Sequence, residues 1–295
     1  MISVVCVFND ESILNNVLLK SLKKQTAEFE LITLDNRNNR FQSAAEALNY
    51  GGSKATGDYI MFIHQDMWLF SETCLDEIEK DLKSLSDVGI AGVAGVKDST
   101  SRHINNLKWA FEDFGVLQRL GGHRSKKIEE VLTLDECVLI VPKPLFKKLK
   151  FDEKTFDGWD CYGTDYCLSV RQLGYKSYVL PAYSSHCCLR ASYKRWEFKG
   201  LLKYQSRIYS KHKHNYQSIA SWMSTISQKQ LIWNHGVSIL GPFYSKMFPG
   251  FFDTINKELS GCNSLLDLGC GFYSHLQCKD KKLSVGVELF EPFLQ

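Results

Sequence analysis

The first hundred residues alternate between short apolar runs and longer amphipathic stretches. Strand-like runs occur at SVVCVF, FELITLD, YIMFI and GIAGVAGV, and the stretches between them, such as ESILNNVLLKSLKKQ, repeat apolar residues at helical spacing. This order predicts parallel βα units rather than hairpins. Four such units imply a Rossmann-like doubly wound sheet, in which ligands bind outside the carboxyl ends of the strands.

Polar residues follow each of the first three predicted strands: Asn9, Asp10 and Glu11; Asp35 and Asn36; His64, Gln65 and Asp66. Because parallel strands end at the same edge of a sheet, we expect these groups to lie together. Helix capping explains polar residues after any one of these strands, but polar residues after all three are more than capping requires. No glycine-rich phosphate loop follows the first strand. A nucleotide bound here would therefore need a divalent cation between its phosphates and the carboxylates.

A second polar group lies in FDEKTFDGWDCYGTDYCLSVRQLGY, residues 151–175. The pattern predicts a loop containing Trp159 and Asp160 that leads into a helix. Thr164 is the predicted N-cap, which puts Asp165 in the first turn, where the helix dipole favours a charged carboxylate. A strand in SYVLP and then His186 follow.

In order along the chain, these stretches resemble the inverting glycosyltransferases of family 2, which have the GT-A fold. SVVCVFNDE is similar to that family's first strand, ELITLDN to its second, and AEALNYGGSKATGDYIMFIHQDM to the segment that leads to its DxD motif. GWDCYGTDYCLSVRQLGY resembles its acceptor-side helix, and SSHCC its later histidine. The resemblance covers residues 1–215. It implies an α/β protein of GT-A type, Rossmann-like, with a mixed central sheet flanked by helices.

The resemblance implies an enzyme of the hexosyltransferase type. It would move a sugar, with inversion, from a nucleoside diphosphate donor to a hydroxyl of a glycan or lipid-linked acceptor. Asp66 and His186 are the implied ligands of Mg²⁺ or Mn²⁺, which stabilises the departing diphosphate. Asp165 is the implied general base, with Asp160 as the competing base, and Trp159 is expected to stack on the acceptor sugar. The residues implied for donor binding are Phe8, Asn9, Glu11, Asp35, Asn49 and Gln65.

The DxD motif is incomplete in this chain. His64 and Gln65 stand at its first two positions, so metal binding would rest on Asp66 with the diphosphate and water. This departure leaves a second interpretation open, a pseudoenzyme that binds nucleotide sugars or glycans. Structural roles also compete with the assigned ones: a core histidine for His186, an Asx turn for Asp35, a helix-dipole carboxylate for Asp165 and loop packing for Trp159.

Residues 190–213, called the basic segment below, carry the chain's positive charge. They contain eight lysines and arginines against one glutamate, in a chain whose formal net charge is only +3. Apolar residues recur among these cations at roughly helical spacing, which favours a solvated helix packed on the preceding domain. The alternative is a peripheral membrane contact with anionic lipid or a lipid-linked acceptor. Nucleic acid is disfavoured as a partner because the rest of the chain is net acidic.

The ten cysteines form no CxxC pair, and residues such as Cys6 and Cys137 lie within apolar runs. This usage is typical of reduced thiols in a cytosolic protein rather than of disulfides or a zinc site. The N-terminus enters a strand at once without the pattern of a signal peptide, and no apolar run is long enough to span a bilayer. We expect a cytoplasmic protein, with peripheral association at the inner face of the membrane as the alternative.

After residue 215 the pattern changes. Residues 216–250 are predicted to form a helical connector, and residues 251–295 a partial βαβ unit. LLDLGCG resembles motif I of the AdoMet-dependent methyltransferases, and the residues implied for this motif are Asp267, Gly269, Gly271 and Glu288. The tail holds two strands of a fold that needs about five. We therefore expect S-adenosylmethionine as a cofactor only if the tail belongs to a complete domain, in which case the chain is a fragment of a glycosyltransferase–methyltransferase fusion.

Overall fold

The computed structural model describes residues 1–97, 103–111, 117–118, 123–182, 184–188, 203–204, 207–208, 210–212, 264–268 and 283–287. The chain divides into two compact units, Met1–Asn215 and Tyr216–Gln295. Within the described ranges, every helix is too short or too polar to cross a membrane.

The predicted strands and helices of the first hundred residues are all present in the first unit. The strands of this unit are β1 (Ile2–Phe8), β2 (Phe29–Asp35), β3 (Tyr59–Ile63), β4 (Met67–Leu69), β5 (Val88–Gly92), β6 (Ala94–Val96), β7 (His103–Asn105), β8 (Leu107–Phe111), β9 (Leu117–Gln118), β10 (Glu129–Val131), β11 (Thr133–Leu134), β12 (Val138–Pro142), β13 (Lys176–Val179) and β14 (Ser184–Cys188). Before residue 190, the described helices are α1 (Glu11–Ile13), α2 (Leu19–Leu22), α3 (Ala44–Lys54), α4 (Cys74–Lys83), α5 (Lys143–Lys148) and α6 (Tyr162–Gln172). A π-helical stretch, Leu14–Leu18, joins α1 to α2 without a break.

The central sheet has seven strands in the order β10-β13-β5-β12-β3-β1-β2. β1 runs parallel to β2 and β3, and β13 runs parallel to β5. β12 runs antiparallel to β3 and β5, because it starts beside the end of β3: the backbone N–H of His64 donates to the carbonyl of Cys137 at 3.0 Å. β10 is antiparallel to β13. The sheet is therefore mixed, and the predicted α/β fold class is confirmed.

The inner strands of this sheet are buried on both faces. β1, β3 and β12 contain no exposed side chain, as expected for strands covered by helices on both sides. β2 is partly exposed because it forms an edge. The described cysteines that are buried as free thiols are Cys6, Cys74, Cys137, Cys161 and Cys167. These five fit the expectation of reduced thiols that serve as small core residues.

An aromatic cluster attaches α6 to the sheet. The ring of Phe151 lies 5.3 Å from that of Phe62 in β3 and 4.7 Å from that of Tyr166 in α6, measured between centroids. Tyr162, the first residue of α6, lies 5.9 Å from Phe151. Each such pair adds about 0.5–1.5 kcal/mol beyond the burial of its surface. The cluster therefore holds the first turn of α6 close to the carboxyl end of β3.

The second unit contains two described strands, β15 (Ser264–Leu268) and β16 (Leu283–Val287), which pair in parallel. Parallel neighbours require a crossover connection, as in the predicted βαβ unit. Asp267 lies in β15 opposite Gly286. The other residues of the methyltransferase-like motif, Gly269, Gly271 and Glu288, lie outside the described residues, as does the predicted connector. The methyltransferase interpretation of this tail stays a prediction.

Candidate functional site

Gln65 joins the ends of β1 and β3 into one edge. Its amide oxygen accepts hydrogen bonds from the backbone N–H groups of Asn9 and Asp10, both at 3.0 Å. Its amide nitrogen donates to Oδ1 of Asn9 at 2.7 Å. Asp10 in turn caps α1 by accepting from the N–H groups of Ser12 and Ile13. Gln65, at the middle position of the incomplete DxD motif, therefore fixes the loop that follows β1.

Replacing Gln65 with alanine is expected to lower the free energy of unfolding by about 1–2 kcal/mol, because three partly exposed hydrogen bonds are lost at once. Urea unfolding followed by circular dichroism measures this change. Gln42→Ala is the matched control, since Gln42 is exposed and its amide nitrogen makes one bond, to the carbonyl of Asn39. Equal stability losses in the two variants would contradict the linking role of Gln65.

Arg37 bridges the ends of β1 and β2. Its guanidinium forms ion pairs with both Glu11 and Asp35 and lies 5.6 Å from the centre of the Phe8 ring. The hydrogen bonds from Arg37 hold the pKa of Asp35 below its usual range. Asp35 also accepts from the backbone N–H of Arg37 at 2.9 Å, so the Asx turn that competes with base recognition is present. A nucleotide that contacts Phe8, Glu11 and Asp35 would bind beside Arg37, because Arg37 contacts the same three side chains.

Asp66 lies between β3 and β4 and is only 4% exposed. A carboxylate that merely ended a strand in solvent would be exposed, so the burial of Asp66 indicates another role. β4 pairs with β14 so that His186 stands opposite Met67, the residue after Asp66. Burial, with the nearby Asp66 carboxylate, raises the pKa of the Cys6 thiol.

A divalent cation bound near Asp66 would have few protein ligands among the described residues. The described part of the chain gathers no group of three or more His, Cys, Asp or Glu side chains that could hold a metal. Mg²⁺ in nucleotide-binding sites commonly uses one or two carboxylates together with substrate phosphates and water. A single buried aspartate fits that arrangement, whereas it does not fit a closed structural metal site.

The start of α6 differs from the sequence prediction. Its N-cap is Cys161, which has a left-handed backbone with φ of 64°, and the predicted N-cap Thr164 lies inside the first turn. The difference arises because a distant carboxylate takes over the capping: Glu136 accepts from the N–H of Gly163 at 2.7 Å. Trp159 is 46% exposed, so the structure does not support loop packing as its role. Asp160 is partly buried, and this burial raises its pKa.

Asp165 is buried in an ionic cluster on α6. It is 2% exposed, and its two carboxylate oxygens contact Nζ of Lys211 at 2.9 Å and Nε2 of His212 at 2.6 Å. Nδ1 of His212 lies 3.1 Å from Nε2 of Gln172, which is also on α6. This environment is that of a carboxylate that anchors the basic segment.

Other cations of the basic segment pair with carboxylates in residues 151–160. Lys203 and Arg207 form ion pairs with Asp157, and Lys211 forms one with Asp152. Arg207, Tyr204 and Lys203 hold the pKa of Asp157 below its usual range. The described part of the basic segment therefore packs on residues 152–172 of the same unit, as its helical spacing indicated.

Asn49 makes structural bonds in α3. Its side-chain amide exchanges two hydrogen bonds with the backbone of Phe151, at 2.9 and 3.0 Å, and donates to Glu153 at 2.7 Å. Its predicted contact with a donor therefore stays a prediction. No motif in the sequence marks Arg37, Glu136 or His212. Glu136 and His212 have partners in distant parts of the chain, and Arg37 joins its neighbour Asp35 to the distant Glu11. Gly163 is the one local feature of the sequence that indicates the contact with Glu136, because a glycine leaves room for that side chain.

The chain was compared with known proteins. A family model described as "Glycosyltransferase like family" matches residues 3–212. No curated protein sequence matches the chain. Among solved structures, the mannosyltransferase PcManGT from Pyrobaculum calidifontis, in complex with GDP-Man and Mn²⁺, is 14% identical with a TM-score of 0.48, over 72% of this chain and 64% of that one.

Two further solved structures are similarly distant. S. aureus TarS 1–349 in complex with UDP-GlcNAc is 15% identical with a TM-score of 0.48, over 88% of this chain and 77% of that one. GalNAc-T7 with UDP, GalNAc and Mn²⁺ is 14% identical with a TM-score of 0.47, over 63% of this chain and 43% of that one. The chain thus spans less than two thirds of the length of both GalNAc-T7 and PcManGT.

Proposed function

This chain belongs to the glycosyltransferase-like family, and from that premise we propose that it moves a sugar from a nucleoside diphosphate donor to an acceptor hydroxyl, with inversion. The mixed α/β sheet is that of the GT-A fold. The observation that carries the proposal is the burial of Asp66 at the end of β3, beside the loop after β1 that Gln65 fixes. A buried carboxylate at this edge suits a site for a metal-bound diphosphate.

The donor side of the site lies at the ends of β1, β2 and β3. We propose that Asp35 contacts the base and that Phe8, Asn9 and Glu11 contact the rest of the nucleoside. Asp66, together with His186 at the neighbouring register position, would hold Mg²⁺ or Mn²⁺. When bound, the cation supplies Lewis-acid stabilisation of the negative charge on the departing diphosphate.

We propose Asp160 as the general base. A bond forms between the acceptor oxygen and the anomeric carbon as the bond to the diphosphate oxygen breaks, and the hydroxyl proton passes to the base. Burial raises the pKa of Asp160 towards the range in which a general base is effective. Asp165 is less suited, because it is buried against Lys211 and His212. The exposed Trp159, next to Asp160, is in a position to stack on the acceptor sugar.

Asp160→Asn is expected to lower kcat by about 10²-fold or more, because the acceptor proton then has no base to receive it. Binding of UDP or GDP with Mn²⁺, measured by isothermal titration calorimetry, should stay unchanged. Asp165→Asn should act mainly on thermal stability, because it weakens the bonds to Lys211 and His212. Both variants are assayed by nucleotide release from UDP-GlcNAc and GDP-mannose. Normal kcat in Asp160→Asn, with a large loss in a stably folded Asp165→Asn, would reverse the assignment.

A protein that binds nucleotide sugars without transferring them is the second candidate function. The observation that favours it is the replacement of the first acidic position of DxD by His64, while Gln65 at the middle position makes structural bonds to the loop after β1. Metal-dependent binding of a nucleoside diphosphate, with no nucleotide release from any sugar donor and acceptor tried, would support this second function.

The acceptor and the cellular location are further proposals. We propose a glycan or lipid-linked acceptor on the cytoplasmic side of the membrane. In the described part of the basic segment, Lys203, Arg207 and Lys211 pair with carboxylates, so lipid contact would depend on the segment's other cations. S-adenosylmethionine would bind only if β15 and β16 belong to a complete domain.

A further inference from the structure

Glu136 lies at the same edge of the sheet as the residues that follow β3. Val138, two residues later, pairs with Ile63 at the end of β3. The carbonyl of Cys137, which lies between Glu136 and Val138, accepts from the backbone N–H of His64 at 3.0 Å. The antiparallel register therefore brings Glu136, from the turn before β12, beside the stretch that carries Asp66.

The side chain of Glu136 caps α6 from this position. It accepts from the N–H of Gly163 at 2.7 Å and from the N–H of Cys161. The first N–H groups of a helix need such acceptors, and Cys161 makes no side-chain capping bond of its own. Cys161 also has a φ of 64°, which is unfavourable for a residue with a side chain. Glu136 thus holds a strained junction between Asp160 and α6.

Gly163 leaves the space that this contact needs. A Cβ atom added at residue 163 would lie 2.8 Å from Cγ of Glu136 and 3.0 Å from Cδ1 of Leu139. A second link ties the same turn of α6 to the end of β3, since the hydroxyl of Tyr162 lies 3.3 Å from Nε2 of His64. Two links therefore hold the first turn of α6 to the edge of the sheet near Asp66.

The environment of Glu136 suits a capping group next to Asp160. Burial, with the nearby charge of Asp160, raises the pKa of Glu136 to about 8. A protonated carboxyl group keeps a carbonyl oxygen that accepts the amide hydrogen bonds. In that state it adds no second negative charge beside Asp160, where a second charge would oppose ionisation of the base.

We propose that Glu136 is a positioning residue for sugar transfer, which fixes the turn from Asp160 to Gly163 relative to the strand end that carries Asp66. The inference rests on the proposed function. If the turn moves, Asp160 can still accept a proton, but it no longer lies at the correct distance from the donor. The expected loss is therefore in kcat.

Glu136→Ala and Glu136→Gln test this role. Glu136→Ala should lower kcat for nucleotide release by at least about 10-fold, with the Kd for UDP or GDP with Mn²⁺ unchanged within about 2-fold. Glu136→Gln should stay within about 3-fold of the wild type, because its amide oxygen can accept the same bonds. Hydrogen exchange, followed by mass spectrometry, should show faster exchange at residues 161–163 in Glu136→Ala only. The control is Glu28→Ala, an exposed glutamate just before β2.

A double-mutant cycle with Gly163→Ala separates positioning from general destabilisation. Gly163→Ala should reduce kcat by itself, and by a smaller factor in the Glu136→Ala background, where the clash with Cγ is relieved. Independent effects, or a lower Tm in Glu136→Ala with an unchanged kcat, would overturn the proposal. If the wild-type protein releases no nucleotide from any donor, the proposed function fails and the positioning role fails with it, even where hydrogen exchange confirms the cap.

Discussion

Asp66→Asn is expected to lower metal-dependent nucleotide release by at least about 10²-fold, because the remaining amide is a poor ligand for Mg²⁺ or Mn²⁺. Asparagine preserves the size of the buried side chain, so the protein should stay folded. The loss should appear in kcat and also in the enhancement by Mn²⁺ of UDP or GDP binding. Steady-state assays of nucleotide release and calorimetry at several Mn²⁺ concentrations measure the two effects.

Asp76→Asn is the control for this experiment, because Asp76 is an exposed carboxylate on α4 that accepts from the hydroxyl of Thr26. It should leave both measurements unchanged. If Asp66→Asn retained the full metal-dependent rate, the metal would be held elsewhere, and the assignment of the donor edge would be wrong.

His212→Ala is expected to lower the free energy of unfolding by about 3 kcal/mol, because it removes one partner of a buried ionic cluster. Asp165 and His212 are each about 2% exposed, so water does not replace the lost contact. The basic segment should then be held to α6 less firmly, because Lys211 keeps its contact with Asp165. Urea unfolding at fixed pH measures the free energy, and limited proteolysis between residues 190 and 213 reports how firmly the segment is held.

Lys203→Ala is the matched control for His212→Ala. Lys203 pairs with Asp157 in a position where both side chains are about half exposed, so its loss should cost at most about 1 kcal/mol. When His212→Ala is combined with Asp165→Asn, the losses in the free energy of unfolding should be less than additive, because both changes remove the same interaction. Additive effects, or a small effect of His212→Ala, would show that the cluster does not hold the basic segment.

The parts of the fold that local pattern encodes were predictable from sequence. Apolar runs of strand length placed β1, β2 and β3 correctly, and the geometry of parallel strands then brought Asp35 and Asp66 to one edge. The burial of Asp66 was not predictable, because exposure at a strand end depends on the segments that fold over it. The reversed direction of β12 was also hidden, since the same apolar run fits a parallel or an antiparallel strand.

The start of α6 was harder to predict because its contacts are long-range. Thr164 satisfied the local rule for an N-cap, but Glu136, 27 residues before Gly163, caps the helix instead. Asp165 matched the expected position of a base, while the residues that surround it come from the basic segment, 46 and 47 residues later. Sequence pattern gave the residue types at these positions, and tertiary packing decided their surroundings.

Nucleotide release from a panel of nucleoside diphosphate sugars, with and without Mn²⁺ or Mg²⁺, tests the proposed sugar transfer most directly. The prediction is that at least one donor releases its nucleotide in the presence of metal, and that EDTA and Asp66→Asn each abolish the release. Release at the same rate without metal, or no release from any donor with a range of glycan and lipid-linked acceptors, would contradict the account.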